Sequence, residues 1–244
     1  MNDEPIPAAG RTLPPTATTL LLVRHAETVD NAGLRLSGWT DAAISDHGLK
    51  QVAAVAEHFN REHGHVSALY SSPLQRARIT AEAIGDLTGH TPILLDDLRE
   101  MYFGDLDGKS FEELREAYQD ILQADEDIEQ EDFVWPNGES RSGFSERVER
   151  VIDAIARRHP GEAIGVITHG GIIAVFMTLL YHESGALWRK WTVPNASLTE
   201  VVWDPVSRQG QLVRHGDAGH LEHLTPPSAA EDAMIQTAVS TPET

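Results

Sequence analysis

Five side chains in this sequence are of the types that together handle a phosphoryl group: Arg24, His25, Arg76, Glu100 and His169. An arginine stays protonated at any working pH, and its planar fork matches phosphate oxygens two at a time. Two of them aimed at one point make little sense around a neutral ligand. A neutral imidazole is a competent nucleophile at phosphorus. A carboxylic acid beside a bound phosphate has its pKa raised by the negative charge, so it can donate a proton near neutrality. The Gly170-Gly171 pair, opening an apolar helix, adds main-chain N–H groups to the same anion pocket. The chemistry that uses all of these is phosphoryl transfer through a phosphohistidine.

The order of elements is what must bring them together. Residues 19–23 form a short apolar run that reads as a buried strand and stops at Arg24-His25. Ser45 opens a helical pattern in which Leu49, Val52, Ala53, Ala56 and Phe59 recur at three- and four-residue spacing, up to Gly64. A second strand is read over 66–71. Ser72 then reads as a helix N-cap with Pro73 at the first helical position, and the helix runs through Ile79, Ala83 and Ile84 towards Gly89. Further apolar runs at 93–95, 163–168, 196–203 and 211–214 complete the strands. Strand and helix alternating in this way predict an α/β fold, a three-layer α/β/α sandwich with a mostly parallel central sheet. In such sheets reactive groups collect where strands end and helices begin. Arg24-His25, Arg76 and His169 all fall at such points, and Glu100 follows the third strand within a few residues.

The length of 244 residues fits one domain, read here as 19–225. Residues 1–18 and 226–244 are read as disordered arms, the first rich in Pro, Ala and Thr and the second acidic without Lys or Arg. A short acidic insertion at about 105–139 breaks the rhythm. Twelve acidic residues lie between Asp105 and Asp132, against Lys109 and Arg115 alone. Part of it, residues 111–122, reads as an amphipathic helix with Phe111, Leu114, Tyr118 and Leu122 on one stripe. A solvated surface helix explains the charges, and a lid over a site is compatible with the same residues.

Lys and Arg total 19 against 38 Asp and Glu, a formal charge of −19. Such a surface repels nucleic acid and anionic lipid, so neither is expected as a partner. The sequence contains no Cys, which excludes disulfides, thiolate metal sites and Cys nucleophiles. The first residues lack a signal peptide's basic start and apolar run, and no apolar stretch approaches the roughly 20 residues needed to span a bilayer. A cytoplasmic protein is expected, with oligomeric state open.

Five strings carry a resemblance. Arg24-His25-Ala26-Glu27-Thr28, with Asn31 three residues on, resembles the signature of the histidine phosphatase superfamily, in its phosphoglycerate mutase-like branch. Ser37-Gly38-Trp39-Thr40-Asp41 resembles that family's next loop, which lines the phosphate. Ser71-Ser72-Pro73-Leu74-Gln75-Arg76-Ala77 resembles its second arginine motif, Leu98-Arg99-Glu100-Met101-Tyr102-Phe103-Gly104 its acid motif, and Thr168-His169-Gly170-Gly171 its second histidine. Any one string is weak, as Arg157-Arg158-His159 illustrates; five in the family's order is a strong signal. Ala26 stands where many members carry Gly.

The resemblance and the chemistry together imply roles. His25 would attack phosphorus, its other ring nitrogen held by a main-chain carbonyl. Arg24, Arg76 and a protonated His169 would hold the equatorial oxygens. Glu100 would protonate the leaving alkoxide and then take a proton from water. Asn31, Ser37, and the Gly38 and Gly170 N–H groups would complete the phosphate shell. No metal and no other cofactor is required, because the arginines supply the positive charge. The expected partner is a small-molecule phosphate ester, and the expected activity a metal-independent phosphomonoesterase. A mutase-type phosphotransferase is the first alternative, opposed by the repulsion that an acidic lid would exert on a bisphosphate. A non-catalytic phosphate-binding regulatory module is the second. His215, His220 and His223 read as solvated side chains rather than a metal site, and Trp188 and Trp191 as packing residues near the sheet edge, with substrate stacking as the alternative.

Overall fold

The computed structural model describes residues 12–127 and 132–224. Strand β1 (Thr18–Arg24) is buried on both faces, as its unbroken apolar run requires. Successive residues point to opposite sides: Leu20 and Leu22 enter one core, Leu21 and Val23 the other. It pairs in parallel with β4 (Ala163–Thr168), which pairs with β2 (Ala68–Ser71), which pairs with β3 (Ile93–Leu94). On its other side β1 meets β5 (Leu198–Asp204) and then β6 (Gln209–Asp217), both pairings antiparallel. The six-stranded order is β3-β2-β4-β1-β5-β6.

After a single turn, α1 (Val29–Ala32), helices α2 (Asp46–His63) and α3 (Gln75–Thr88) cover one face with Val52, Val55, Phe59, Ala77, Ala81 and Ile84. Two helices cover the other, α6 (Arg141–Arg158) and α7 (Gly170–Leu180). The expected three-layer sandwich is therefore present. Ser45 caps α2 by accepting the Gly48 N–H, as its position implies. Helix α6 has no counterpart among the elements expected from spacing. Its signal lies in Phe144, Val148, Val151, Ile152 and Ile155, obscured by the arginines and acids between them, and Ser140 caps it. Helix α7 is apolar nearly all round because it lies inside the core. Among the described residues no single helix is long and apolar enough to cross a membrane.

Three local expectations are corrected. Helix α3 starts at Gln75 behind Leu74, so Ser72 is not its cap and Pro73 lies in the preceding turn. The stripe over 111–122 is two helices, α4 (Phe111–Ala117) and α5 (Gln119–Glu126), broken at Tyr118. Their joint core of Phe103, Leu106, Leu114, Phe133 and Trp135 is separate from the two main ones, which makes the insertion a small packed unit. The arm read as disordered through residue 18 is tied down sooner. Thr18 belongs to β1, and its hydroxyl donates to the carbonyls of Ala156 (3.0 Å) and His159 (2.8 Å). Residues 1–11 and the 226–244 tail lie outside the described residues. On α4 the acids Glu112, Glu113 and Glu116 are exposed, while Leu114 is buried. The charge that α4 contributes to the insertion is thus on solvent-exposed side chains.

Candidate active site

Strands β1 and β4 end side by side, Arg24 opposite Thr168, so the residues that follow them, His25 and His169, are delivered to one point. Their rings stand 5.1 Å apart, centroid to centroid. His25 Nδ1 lies 2.8 Å from the carbonyl oxygen of Ala26. A carbonyl only accepts, so Nδ1 carries the proton and Nε2 presents its lone pair. Burial, then the charges of Arg76 and Arg24, push this imidazole well below its ordinary pKa, against the Ala26 bond. The nucleophile is therefore held neutral. The His25 carbonyl accepts from the Ala196 N–H (3.1 Å) and from Asn195 Nδ2 (3.1 Å). Asn195 is a positioning contact that sequence reading missed.

Arg76 sits in the first turn of α3, completely buried. Its Nη1 donates to the Thr40 carbonyl (2.8 Å) and its Nη2 to that of Gly38 (2.6 Å), while Nε has no protein partner. A buried, unsatisfied N–H on a cation is an anion site in waiting. Arg24 Nη1 donates to the Val193 carbonyl (2.6 Å). The guanidinium packs beside Gly170, at the start of α7.

Two assignments in the 37–40 loop are corrected. Ser37 gives its hydroxyl to Asp30 (2.9 Å), and the Gly38 N–H goes to Asp107 Oδ1 (2.7 Å) rather than into the phosphate shell. The Trp39 and Thr40 N–H groups join the same Asp107 carboxylate, at 2.7 and 3.0 Å. The loop thus acts on phosphate through Arg76, and Asp107 shapes the loop. Asn31 Oδ1 accepts from the Thr28 N–H (3.0 Å), the Thr28 hydroxyl (2.9 Å) and Asn195 (3.2 Å). Only its NH2 end is left for an oxyanion.

Glu100 is buried beside the two arginines. Its Oε1 accepts from the Met101 N–H at 2.8 Å and its Oε2 from the Gly171 N–H at 3.0 Å. Burial raises its pKa, with those two N–H groups and the charges of Arg76 and Arg24 acting in opposition. The expected acid is thus primed by desolvation before any phosphate arrives. The segment that carries it is clamped by Arg147, another residue sequence reading missed. Arg147 donates to the carbonyls of Asp97 (2.9 Å), Arg99 (2.7 Å) and Glu100 (3.1 Å), and pairs with Glu139 (2.6 Å). Trp39 Nε1 also donates to the Glu100 carbonyl (2.9 Å).

His169 is completely buried, with Nε2 2.8 Å from the Ser72 hydroxyl and Nδ1 without a protein partner. Burial first, then Arg76, His25 and Arg24, hold its pKa well below the ordinary value. Burial and these three neighbouring bases and cations thus oppose the protonated form expected of His169. In the tautomer in which Ser72 donates to Nε2, the neutral ring carries its proton on Nδ1, the nitrogen without a protein partner. Ser72, read as a helix cap, is the residue that orients it.

His215, His220 and His223 do not gather with one another. His215 packs edge-on against Trp191 (5.5 Å), His220 stacks on His58 (4.5 Å), and His223 is exposed. The first two are partly buried rather than solvated. Trp191 is buried and stacked on Tyr181, as a packing residue should be, whereas Trp188 lines a pocket beside Glu100.

Known proteins resemble this chain in sequence and in fold. A metal-independent phosphoserine phosphatase of Arabidopsis thaliana is 33% identical over 193 residues, 76% of this chain and 79% of that protein. Phosphoglycerate mutase-like protein 4 of the same plant is 35% identical over 159 residues, 63% of this chain and 67% of that one. The structure of a mycobacterial glucosyl-3-phosphoglycerate phosphatase superposes with a TM-score of 0.72 at 27% identity, covering 83% of this chain and all (100%) of the other. Residues 20–218 match the sequence model described as the histidine phosphatase superfamily, branch 1. The chain belongs to the histidine phosphatase superfamily, and it is a phosphatase of that family.

Proposed function

We propose that the protein hydrolyses the phosphomonoester of a small metabolite through a phosphohistidine on His25, without a metal ion. The observation that carries this reading is the His25 tautomer: Nδ1 bound to the Ala26 carbonyl leaves Nε2 as an unprotonated nucleophile. In the first step Nε2 forms a bond to phosphorus as the ester P–O bond breaks, and Glu100 gives its proton to the departing alkoxide. Arg24, Arg76 and His169 hold the equatorial oxygens, which carry the charge in this kind of transfer. In the second step a water attacks phosphorus on the face the alcohol has left. Glu100, now a carboxylate, takes the proton from that water, the P–N bond breaks, and phosphate departs. The relatives named as phosphatases support hydrolysis over return of the phosphoryl group to a second substrate.

The test is hydrolysis of p-nitrophenyl phosphate between pH 5 and 8 with EDTA present, beside the His25→Ala protein. Activity that survives the chelator and is lost with His25 is expected. Equal activity in His25→Ala, or its disappearance with EDTA, would overturn the proposal.

A further inference from the structure

The peptide that joins His25 to Ala26 is held on both sides. Its N–H, on Ala26, donates to the Thr80 hydroxyl at 3.2 Å. Its carbonyl, on His25, accepts from the Ala196 N–H and from Asn195 Nδ2, each at 3.1 Å. The imidazole is fixed between this peptide and the next carbonyl, where Nδ1 is bound at 2.8 Å. A shift of the turn at 195–196 therefore moves the attacking nitrogen.

Ala196 does not hold that turn by itself. It is completely buried, and its φ of +54° lies in the left-handed region that a side chain disfavours. Such a conformation persists only where its surroundings fix it. Its own carbonyl is fixed from outside the turn, 3.0 Å from His220 Nε2. A carbonyl only accepts, so Nε2 carries the proton and donates. His220 lies in the 3₁₀ turn Gly219–Leu221 that follows β6. Its ring stacks on His58 of α2, with centroids 4.5 Å apart and planes at 10°. His58 is oriented in turn by Arg61, whose Nη2 donates to His58 Nδ1 at 2.9 Å. Asp217, the last residue of β6, accepts from the Gly219 N–H and from Arg214, both at 2.9 Å, and Leu221 packs on the core that α2 and α3 share.

We propose that His220 is a positioning residue for the nucleophile: its N–H, through the Ala196 peptide units, fixes the main chain that carries the His25 ring. This role rests on the phosphohistidine reading above, and adds to it a residue that acts without touching substrate. Loss of the donor leaves a buried carbonyl unpaired. Ala196 then relaxes out of the left-handed region and withdraws its N–H from His25. The guanidinium groups of Arg24 and Arg76 are held by other carbonyls, those of Val193, Gly38 and Thr40, so phosphate binding is not the property that changes.

The test compares three variants of the full-length protein, each with its Tm, in rapid-quench and steady-state kinetics on p-nitrophenyl phosphate. His220→Phe keeps a stacking ring and removes the donor. His220→Gln puts an amide N–H where Nε2 stood, whereas His220→Asn has the same chemistry and stops one carbon short. His220→Phe and His220→Asn are expected to slow phosphoryl transfer to His25 by about tenfold with KM little changed, and His220→Gln to recover most of that rate. Should His220→Phe not fold, the two amide variants carry the comparison. A role in stability alone would lower Tm in both amide variants without separating their rates. The wild-type rate in His220→Asn, or a loss in His220→Gln equal to it, would overturn the positioning role and leave the phosphohistidine standing. No turnover by the wild-type protein, or turnover with no phosphoryl group on His25, would overturn the phosphohistidine reading, and this role with it.

Discussion

The Gly171 N–H and the Glu100 carboxylate meet at 3.0 Å, so the first turn of α7 holds the acid as well as facing the anion. A β-carbon on Gly171 would come within 2.2 Å of Glu100 Oε1. Gly171→Ala must therefore displace the carboxyl while leaving His25 and Arg76 in place. Displacing a catalytic group by about 1 Å costs on the order of 100-fold in rate. We expect kcat to fall by about that factor with phosphate affinity nearly unchanged. A wild-type kcat in this variant would show that Glu100 is not the acid.

Glu100 has its pKa raised by burial and must be protonated to act as an acid, whereas His25 has its pKa lowered by burial and must be unprotonated to attack. Both shifts widen the window for activity: the acidic limb moves below the ordinary histidine range, and the alkaline limb moves above the ordinary carboxylate range. Activity is expected to persist on the acid side of pH 6 and to decline towards alkaline pH as Glu100 ionises. Substrate ionisation near pH 6 adds its own inflection. Glu100→Gln isolates the acid, because the alkaline limb should flatten and poor leaving groups should slow more than good ones. Equal losses for good and poor leaving groups would contradict the assignment.

Much of this site is legible in the sequence because its chemistry sits directly after strands. Arg24-His25 and His169 end apolar runs, and Arg76 and Glu100 follow the next ones. What stays hidden acts through main-chain carbonyls, where residue type says little about direction. Arg147 looks like any charged position on α6, yet it is buried and gathers the carbonyls of Asp97, Arg99 and Glu100. Ser72 satisfies every local rule for a helix cap before Pro73, but a histidine 97 positions away takes its hydroxyl. Gly38 resembles an anion-binding N–H, and Asp107 occupies it from the insertion. In each case a long-range partner decides the role.

Asp107 links that insertion to Arg76 through the Gly38 and Thr40 backbone. Asp107→Asn keeps the shape but replaces one acceptor oxygen with an NH2 that cannot receive the loop N–H groups. Hydrogen bonds to charged acceptors contribute about 1.5–3 kcal/mol. We expect the Kd for inorganic phosphate, measured by calorimetry, to rise about tenfold as the loop carbonyls lose their hold on Arg76. An unchanged Kd would show that Arg76 is positioned without Asp107.

The stacked His58 and His220 make a prediction about stability. Burial first, then the neighbouring His58, push His220 down to about 4, while Ala196 and Asp217 act in the opposite direction. His58 itself is lowered by burial and by Arg61. Between about pH 4 and the ordinary histidine value near 6.5, the unfolded chain binds a proton that folded His220 does not. This contribution is complete above pH 6.5 and is lost as the pH falls towards 4. Tm should decline on acidification through this range, and His220→Phe, which retains a stacking ring, should make the decline shallower. An identical pH dependence in the variant would contradict the assignment.

The neutral His25 with its free Nε2 implies a covalent phosphoryl group on that residue during turnover. The most direct measurement is rapid quench of the wild-type enzyme during turnover of p-nitrophenyl phosphate, followed by peptide mass spectrometry under conditions that preserve acid-labile phosphoramidates. A phosphoryl adduct is expected on the peptide containing His25, assigned to that residue, and none in His25→Ala. Turnover at full rate with no adduct on His25, or an adduct on another residue, would contradict it.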